Sequence, residues 1–275
     1  MEKLSKKQLI NKCIELDIIF SKSFTKYKLL QLLNEKYNLI ENIIEINYND
    51  DLNVLQICEI PKSINIDILK NLLDEYMKPR ISFYNEMKRN YFIEDEFSEY
   101  FISKSCEGIV IGSGNCGMDV KSKYNEGIDV MCVIMNKKIS NEKSIIQNFN
   151  SSGSNLDNLF IENKDNESVE LFMTNYLKKL EKVKIDKNLN ELYIISFINK
   201  NNNVYLVSFK IILDNIKNVK SDGFVDNYIN KYVNINIINF INHKYGKVNL
   251  YKSKKRVELR LYENILNNDY IVKIY

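Results

Sequence analysis

The sequence predicts a mixed α/β protein in which a small N-terminal helical module precedes a larger body with a central mixed β-sheet flanked by helices. Apolar residues recur at helical spacing over residues 4–37. From residue 108 onward, short β-branched runs alternate with turn residues and one further helical pattern. This change in pattern predicts two units, a helical module over 1–45 and an α/β body over 46–275.

The N-terminal stretch predicts two helices joined near residues 17–23. Ser5 is expected to cap the first helix and Thr25 the second, because hydroxyl side chains accept hydrogen bonds from the free N–H groups of a first helical turn. Residues 1–40 carry eight basic and four acidic side chains, a surplus of four positive charges. The simplest interpretation is a helical hairpin whose lysines are solvated and bind no partner.

This stretch also resembles the SAP motif, a small helix–extended–helix module that binds DNA. The resemblance rests on Leu4, Leu9, Cys13, Leu16, Ile18, Lys26, Leu29, Leu30 and Leu33. It implies that DNA is contacted from the loop and the second helix, through Lys22, Lys26 and Lys28.

Between the module and the glycine-rich centre, the sequence predicts a connector and two helices. The connector covers residues 38–62 and has room for one strand. A helical pattern follows over 67–78, and a second candidate helix runs from about residue 80 to 101.

The glycine-rich centre predicts short strands, because five of the eight glycines fall between Gly108 and Gly127 among β-branched runs. The triplet at residues 125–127 is a turn signal and predicts a hairpin. A short helix capped by Ser140 or Asn141 is expected next. The remaining predictions are a helix over 168–182, a hairpin formed by 191–198 and 204–213, and strands over 234–241 and 248–261.

Cysteine and histidine usage limits the chemistry. The five cysteines are widely spaced and His243 is the only histidine, so structural zinc and imidazole-based catalysis are not expected. The cysteines are therefore expected to be free thiols, which indicates a reducing compartment, cytoplasmic or nuclear. The longest apolar runs are far shorter than a membrane span, and the N-terminus has no apolar signal-peptide core. We therefore expect a soluble intracellular protein that contacts no membrane.

Residues 112–117 contain the spacing G-x-G-x-x-G after a predicted strand. As a dinucleotide fingerprint, this spacing requires a helix after the third glycine to bind the pyrophosphate. The following residues alternate apolar and charged side chains instead. We therefore keep a nucleotide-binding enzyme that uses this loop as a third hypothesis, after the two that the remaining sequence features favour.

The strand after this loop contains Asp119 and Lys121, which share a face if the strand is regular. An acid can hold Mg²⁺, and a lysine can orient the attacking water and offset negative charge during phosphodiester hydrolysis. A second acid is needed, and Glu107 and Asp129 are the candidates. The alternative interpretation is an exposed strand face of alternating charge.

This group resembles the restriction-endonuclease-like PD-(D/E)XK core, in which an acid precedes an acid-x-lysine strand in a mixed sheet flanked by helices. The resemblance implies that Asp119 is the second acid, Lys121 the lysine and Glu107 the first acid. In a second alignment, Asp129 lies on the first-acid strand and the lysine comes from a later strand, such as Lys210.

A basic cluster near the C-terminus places seven cations and one acid between residues 244 and 260. Such charge suits contact with phosphates, although it also suits an edge strand protected against aggregation. Lys143 and Gln147 belong to the segment after the β-hairpin and would lie beside the candidate site at Asp119 and Lys121. The residues expected to contact DNA here are Lys143, Gln147, Lys252, Lys254, Lys255 and Arg256.

Together these features predict a Mg²⁺-dependent DNA endonuclease of the restriction type that acts on double-stranded DNA. Cutting both strands usually needs two active sites, so a homodimer is expected. The alternative from another class is a non-catalytic DNA-binding or scaffold protein.

Overall fold

The computed structural model describes residues 5–15, 18, 20–21, 23–33, 50–87, 93–112, 117–135, 145–148, 165–228, 232–251 and 256–275. The described parts contain an N-terminal pair of helices and an α/β body with two β-sheets. The predicted mixed α/β class is confirmed.

Both predicted caps of the N-terminal module are present. Helix α1 covers Lys6–Glu15, and helix α2 is helical over 26–33. The Ser5 hydroxyl accepts from the Gln8 N–H at 3.3 Å, and the Gln8 side chain accepts in return from the Ser5 N–H at 2.8 Å. This reciprocal pair is a capping box. The Thr25 hydroxyl accepts from the N–H of the third residue of α2 at 3.2 Å.

The two N-terminal helices have a small hydrophobic core of their own. Its fully buried side chains are Leu9, Cys13, Leu29 and Leu33. The two residues on each helix are four positions apart, so each helix turns one apolar stripe toward the other.

The central sheet has seven strands in the order β1-β7-β6-β4-β3-β2, and β12 also pairs with β7. Strands β4 and β6 are parallel, and the other pairs are antiparallel, so the sheet is mixed as the sequence predicts. The strands are β1 Leu55–Cys58, β2 Ile109–Val110, β3 Val120–Lys121, β4 Glu126–Ile134, β6 Glu191–Lys200, β7 Asn203–Ile211 and β12 Val272–Lys273.

Both predicted hairpins of this sheet are confirmed. Asn125 has a φ of 60° in the β3–β4 turn, and Asn201 and Asn202 have φ values of 49° and 60° between β6 and β7. Asparagine tolerates this left-handed conformation, which two-residue hairpin turns require.

A second sheet has five strands in the order β5-β11-β10-β9-β8. The sequence did not predict β8, and it predicted one strand where β10 and β11 form an antiparallel pair. The strands are β5 Ile145–Asn148, β8 Lys220–Tyr228, β9 Tyr232–Ile238, β10 Gly246–Tyr251 and β11 Arg256–Leu261.

The short helix predicted after residue 140 is wrong where the structure describes it, because Ile145–Asn148 is strand β5. These residues pair with β11. Pairing with a distant strand overrides the local polar pattern. The proposed caps Ser140 and Asn141 lie outside the described residues.

Four helices of the body are described. They are α3 Ile66–Met77, α4 Ile81–Glu86, α5 Asp95–Ser105 and α6 Asp165–Asp186. The helix predicted over about 80–101 is α4 followed by α5, and residues 88–92 lie outside the described residues. The described part of the body also contains three short 3₁₀ helices, at Asp50–Leu52, Leu213–Asn218 and Glu263–Asn267.

The central sheet is covered on both faces. On one face, Leu73 of α3 and Phe101 of α5 share a core with Ile128 of β4. On the other face, Tyr176 of α6 shares a core with Val133 of β4 and with residues of the second sheet. Alternate residues of β4 therefore face opposite layers, and Asp129 lies on the α6 side.

Four described cysteines are free, namely Cys13, Cys58, Cys106 and Cys132. Among the described helices, none is both long and apolar enough to span a membrane.

Candidate active site

Asp119 and Asp129 meet across the β3–β4 pair. Asp119 immediately precedes β3, and its N–H donates to the carbonyl of Ile128 at 2.9 Å. Its Oδ2 atom accepts from the N–H of Val130 at 2.8 Å. The two carboxyl groups lie close enough for the charge of Asp119 to act on Asp129. The hairpin thus joins two carboxyl groups that are ten residues apart in the sequence.

Both aspartates bind a proton more tightly than an exposed aspartate does. Burial raises the pKa of Asp129 well above its ordinary value, and the neighbouring Asp119 raises it further. Burial also raises the pKa of Asp119, whereas the bonds from Val130 and from Asp129 lower it. Because two adjacent carboxylates repel each other when both are charged, the pair retains a proton more tightly than an isolated aspartate does.

Glu99 of α5 is a third acid at this place. Burial raises its pKa to about 7, with further contributions from Asp119, Glu96 and Asp95. A carboxyl group with a pKa near 7 can accept or release a proton at neutral pH, which is the property of a general acid or base.

The donor set fits Mg²⁺ coordinated largely by water. Among the described residues, no three acidic, histidine or cysteine side chains form a group that could hold a metal ion. Mg²⁺ is usually held by one or two carboxylates and keeps several waters. Asp119 and Asp129 supply two such groups, and a divalent cation would replace the proton that they share.

Helix α6 brings a positive charge to the two aspartates. The charge of Lys179 lowers the pKa of Asp129, against the larger effect of burial. A Cβ atom at Gly117 would lie 3.5 Å from Cε and 4.0 Å from Nζ of Lys179. Tyr176 lies one turn earlier on α6 and is buried; its pKa is raised by burial and by the charge of Asp129. Lys179 therefore joins the site from the side opposite to α5.

The glycine-rich segment lets the backbone approach Asp119 closely. The N–H groups of Ile111 and Gly112 donate to the Asp119 carbonyl at 2.7 and 3.0 Å. A Cβ atom at Gly112 would lie 3.0 Å from both Cα and Oδ1 of Asp119. Strand β3 begins three residues after Gly117, so no helix starts over the described residues 117–121. The helix that a dinucleotide fingerprint requires is thus not found there.

Lys121 and Glu107 are placed away from the two aspartates. The Nζ atom of Lys121 donates to the carbonyl of Lys187, beyond the end of α6, at 2.7 Å. Glu107 is exposed and forms an ion pair with Lys123, beside the β3–β4 turn. A bend at Asp119 explains this outcome: Met118 and Val120 pack into opposite cores, so the alternation of a regular strand does not extend through Asp119.

Lys210, the lysine of the second alignment, also lies away from Asp119 and Asp129. It lies on β7, which β6 separates from β4, and it forms an ion pair with Glu191. Of the sequence-predicted catalytic residues, the structure brings together Asp119 and Asp129 alone, within the part of the chain that it describes.

The residues predicted to contact DNA are described in part. Lys26 and Lys28 are exposed on α2. Gln147 pairs with Val257, and Arg256 pairs with Asn148. Two segments that the sequence predicted separately as DNA contacts are therefore neighbouring strands. Outside the described residues lie Lys22, Lys143, Lys252, Lys254 and Lys255.

Sequence reasoning missed Glu99 and Lys179. Each lies in an ordinary amphipathic helix at the border between the buried and exposed faces, where charged residues are common. A local signal does not distinguish them from other border residues, since only the packing of α5 and α6 on opposite faces of the sheet brings them to Asp119 and Asp129.

Comparisons with models of known protein families, with curated proteins and with solved structures find no match for this chain. A function for this chain is therefore inferred from the geometry of the site.

Proposed function

We propose that this protein is a Mg²⁺-dependent DNA endonuclease whose active site contains Asp119 and Asp129. The observation that carries the proposal is the close placement of the two carboxyl groups, since Asp119 bonds to the backbone on both sides of Asp129, at Ile128 and Val130. It lies in a mixed sheet flanked by helices, the setting that the resemblance to the PD-(D/E)XK core implies. The residue roles differ from that resemblance, since the Lys121 amine donates to the carbonyl of Lys187.

The chain offers a role for each of four side chains. Asp119 and Asp129 would hold the cation through their carboxylate oxygens. When bound, Mg²⁺ would polarise a phosphoryl oxygen and make a bound water more acidic. Glu99 accepts a proton from the attacking water, because its pKa of about 7 leaves much of it ionised at neutral pH. Lys179 lies where its charge offsets the negative charge that develops on the phosphate.

The N-terminal helices suit a DNA-binding role within this proposal. Lys26 and Lys28 project from α2 on both sides of Tyr27, and all three side chains are exposed. Lysines in this arrangement can contact phosphates without reading sequence. Double-stranded DNA remains the proposed partner, and a homodimer would supply the second active site that a double-strand cut requires.

The test is cleavage of mixed-sequence DNA by the purified chain with Mg²⁺ and with EDTA. Asp129→Asn should abolish cutting, because the amide cannot replace a charged ligand. Asp186→Asn, at the exposed end of α6, is the matched control and should cut like the wild type. Binding without cutting under all metal conditions would reject the endonuclease and favour a DNA-binding scaffold protein. Equal cutting by wild type and Asp129→Asn would remove the site from the proposal.

A further inference from the structure

Two aromatic rings of α5 are exposed close to the candidate site. Phe97 and Tyr100 have 38% and 46% of their surface accessible, and they lie one turn apart on the same side of the helix. Tyr100 directly follows Glu99 in the sequence. The rings and the acidic residue therefore lie on two sides of the same short helix, within about one helix diameter of each other.

Cations flank both rings. The Arg80 guanidinium lies 3.8 Å from the ring centroid of Tyr76 and 5.5 Å from that of Phe97. Its Nη1 atom donates to the Tyr76 carbonyl at 2.8 Å, which fixes its position. Lys104 Nζ lies 5.4 Å from the centroid of Tyr100. Arg80, Phe97, Tyr100 and Lys104 together are called the aromatic row.

We propose that the aromatic row binds a single-stranded segment of DNA, with bases stacked on Phe97 and Tyr100 and phosphates near Arg80 and Lys104. This inference rests on the proposed function and names its substrate class more narrowly, as DNA with unpaired bases beside the scissile bond. A base in a duplex exposes only its edges, whereas a base in a single strand offers a flat face to an aromatic ring.

The composition of the row favours nucleic acid over a protein partner. The centres of protein–protein interfaces are depleted in lysine, whereas here each exposed ring has a cation against it. Positive charge beside stacking rings complements a polymer that alternates phosphates and bases. Asp95 and Glu96 begin α5 next to Phe97, so the phosphates are expected to contact Arg80 and Lys104 and to avoid these two carboxylates.

The experiment measures the affinity of the full-length protein for a fluorescently labelled single-stranded oligonucleotide of mixed sequence by anisotropy. EDTA is present, so the result does not depend on cleavage. Tyr100→Ala should weaken binding about tenfold or more, in line with the contribution of one stacked base. Tyr100→Trp should retain the affinity, because it preserves the aromatic face.

Tyr124 provides a matched control. It is 55% exposed and has Lys123 Nζ 5.3 Å from its ring centroid, but it lies in the β3–β4 turn, away from the two aspartates. Tyr124→Ala should bind like the wild type. Equal binding by Tyr100→Ala and the wild type would overturn the inference, even if the protein cuts DNA. Loss of self-association in Tyr100→Ala, with unchanged DNA affinity, would also overturn it and assign the row to a protein interface. Tyr100-dependent binding without any cleavage would support the row and reject the endonuclease.

Discussion

Replacing Glu99 by glutamine removes a negative charge from the candidate site and keeps the size of the side chain. The pKa of Glu99 is about 7 in the folded protein, against an ordinary value of 4.5. The folded state therefore binds this proton more tightly than the unfolded state. Below pH 4.5 both states hold the proton; as the pH rises toward 7, the unfolded chain releases it first, so wild-type stability falls through this window and the loss is complete above it.

The size of the effect follows from the same pKa. Each pKa unit corresponds to about 1.4 kcal/mol, so the full difference would be about 3 kcal/mol. Glu99 is half-buried, and the water that reaches it screens its interaction with neighbouring charges. We therefore expect about 1 to 2 kcal/mol in practice.

The assay is urea denaturation of wild type and Glu99→Gln at several pH values between 4.5 and 8. Across this pH range, the free energy of unfolding should fall by about 1 to 2 kcal/mol less in the variant than in the wild type. Glu170→Gln, on the exposed side of α6, is the control and should follow the wild type. A variant that shows the wild-type pH dependence, or that is less stable than wild type at pH 8, would refute the inference that burial and neighbouring acids raise the pKa of Glu99.

Three further changes test the site. Asp129→Asn should make the free energy of unfolding less dependent on pH, because burial raises the pKa of Asp129 and the wild type therefore loses stability as the pH rises; the wild-type pH dependence in the variant would contradict the raised pKa. Lys179→Met should slow Mg²⁺-dependent cleavage by about a hundredfold, the usual effect of losing one group that stabilises a transition state, whereas Lys121→Met should have little effect on the rate. Gly112→Ala would place a methyl group 3.0 Å from Asp119 and should reduce cleavage without changing the circular dichroism spectrum; full activity would show that Asp119 tolerates displacement.

The accuracy of the sequence predictions depended on how local each feature is. The cap at Ser5 and the hairpin at Asn201 and Asn202 were predicted, because the interacting groups lie within a few residues of each other. Strand β5 was not, since its polar, capped pattern favours a short helix when considered alone. Its conformation depends on β11, which comes from a distant part of the chain.

The candidate site shows the same division. Both Asp119 and Asp129 were predicted, because a turn signal between two β-branched runs places them on neighbouring strands. The assignment of Lys121 assumed a regular strand. Because the chain bends at Asp119, Asp119 and Lys121 do not share the face that a regular strand would give them, and the backbone approach of Gly112 to Asp119 accompanies this bend.

The sequence by itself determined the α/β class, the helix caps, the hairpins and the proximity of the two aspartates across one hairpin. These features follow from periodicity and short-range hydrogen bonds. Only the tertiary structure decided that Glu99 and Lys179 join those aspartates and that Glu107 and Lys121 do not. The physical reason is that α5 and α6 are held to opposite faces of the central sheet by apolar burial distributed over many residues. A charged side chain at the edge of either helix is carried to the site by that packing.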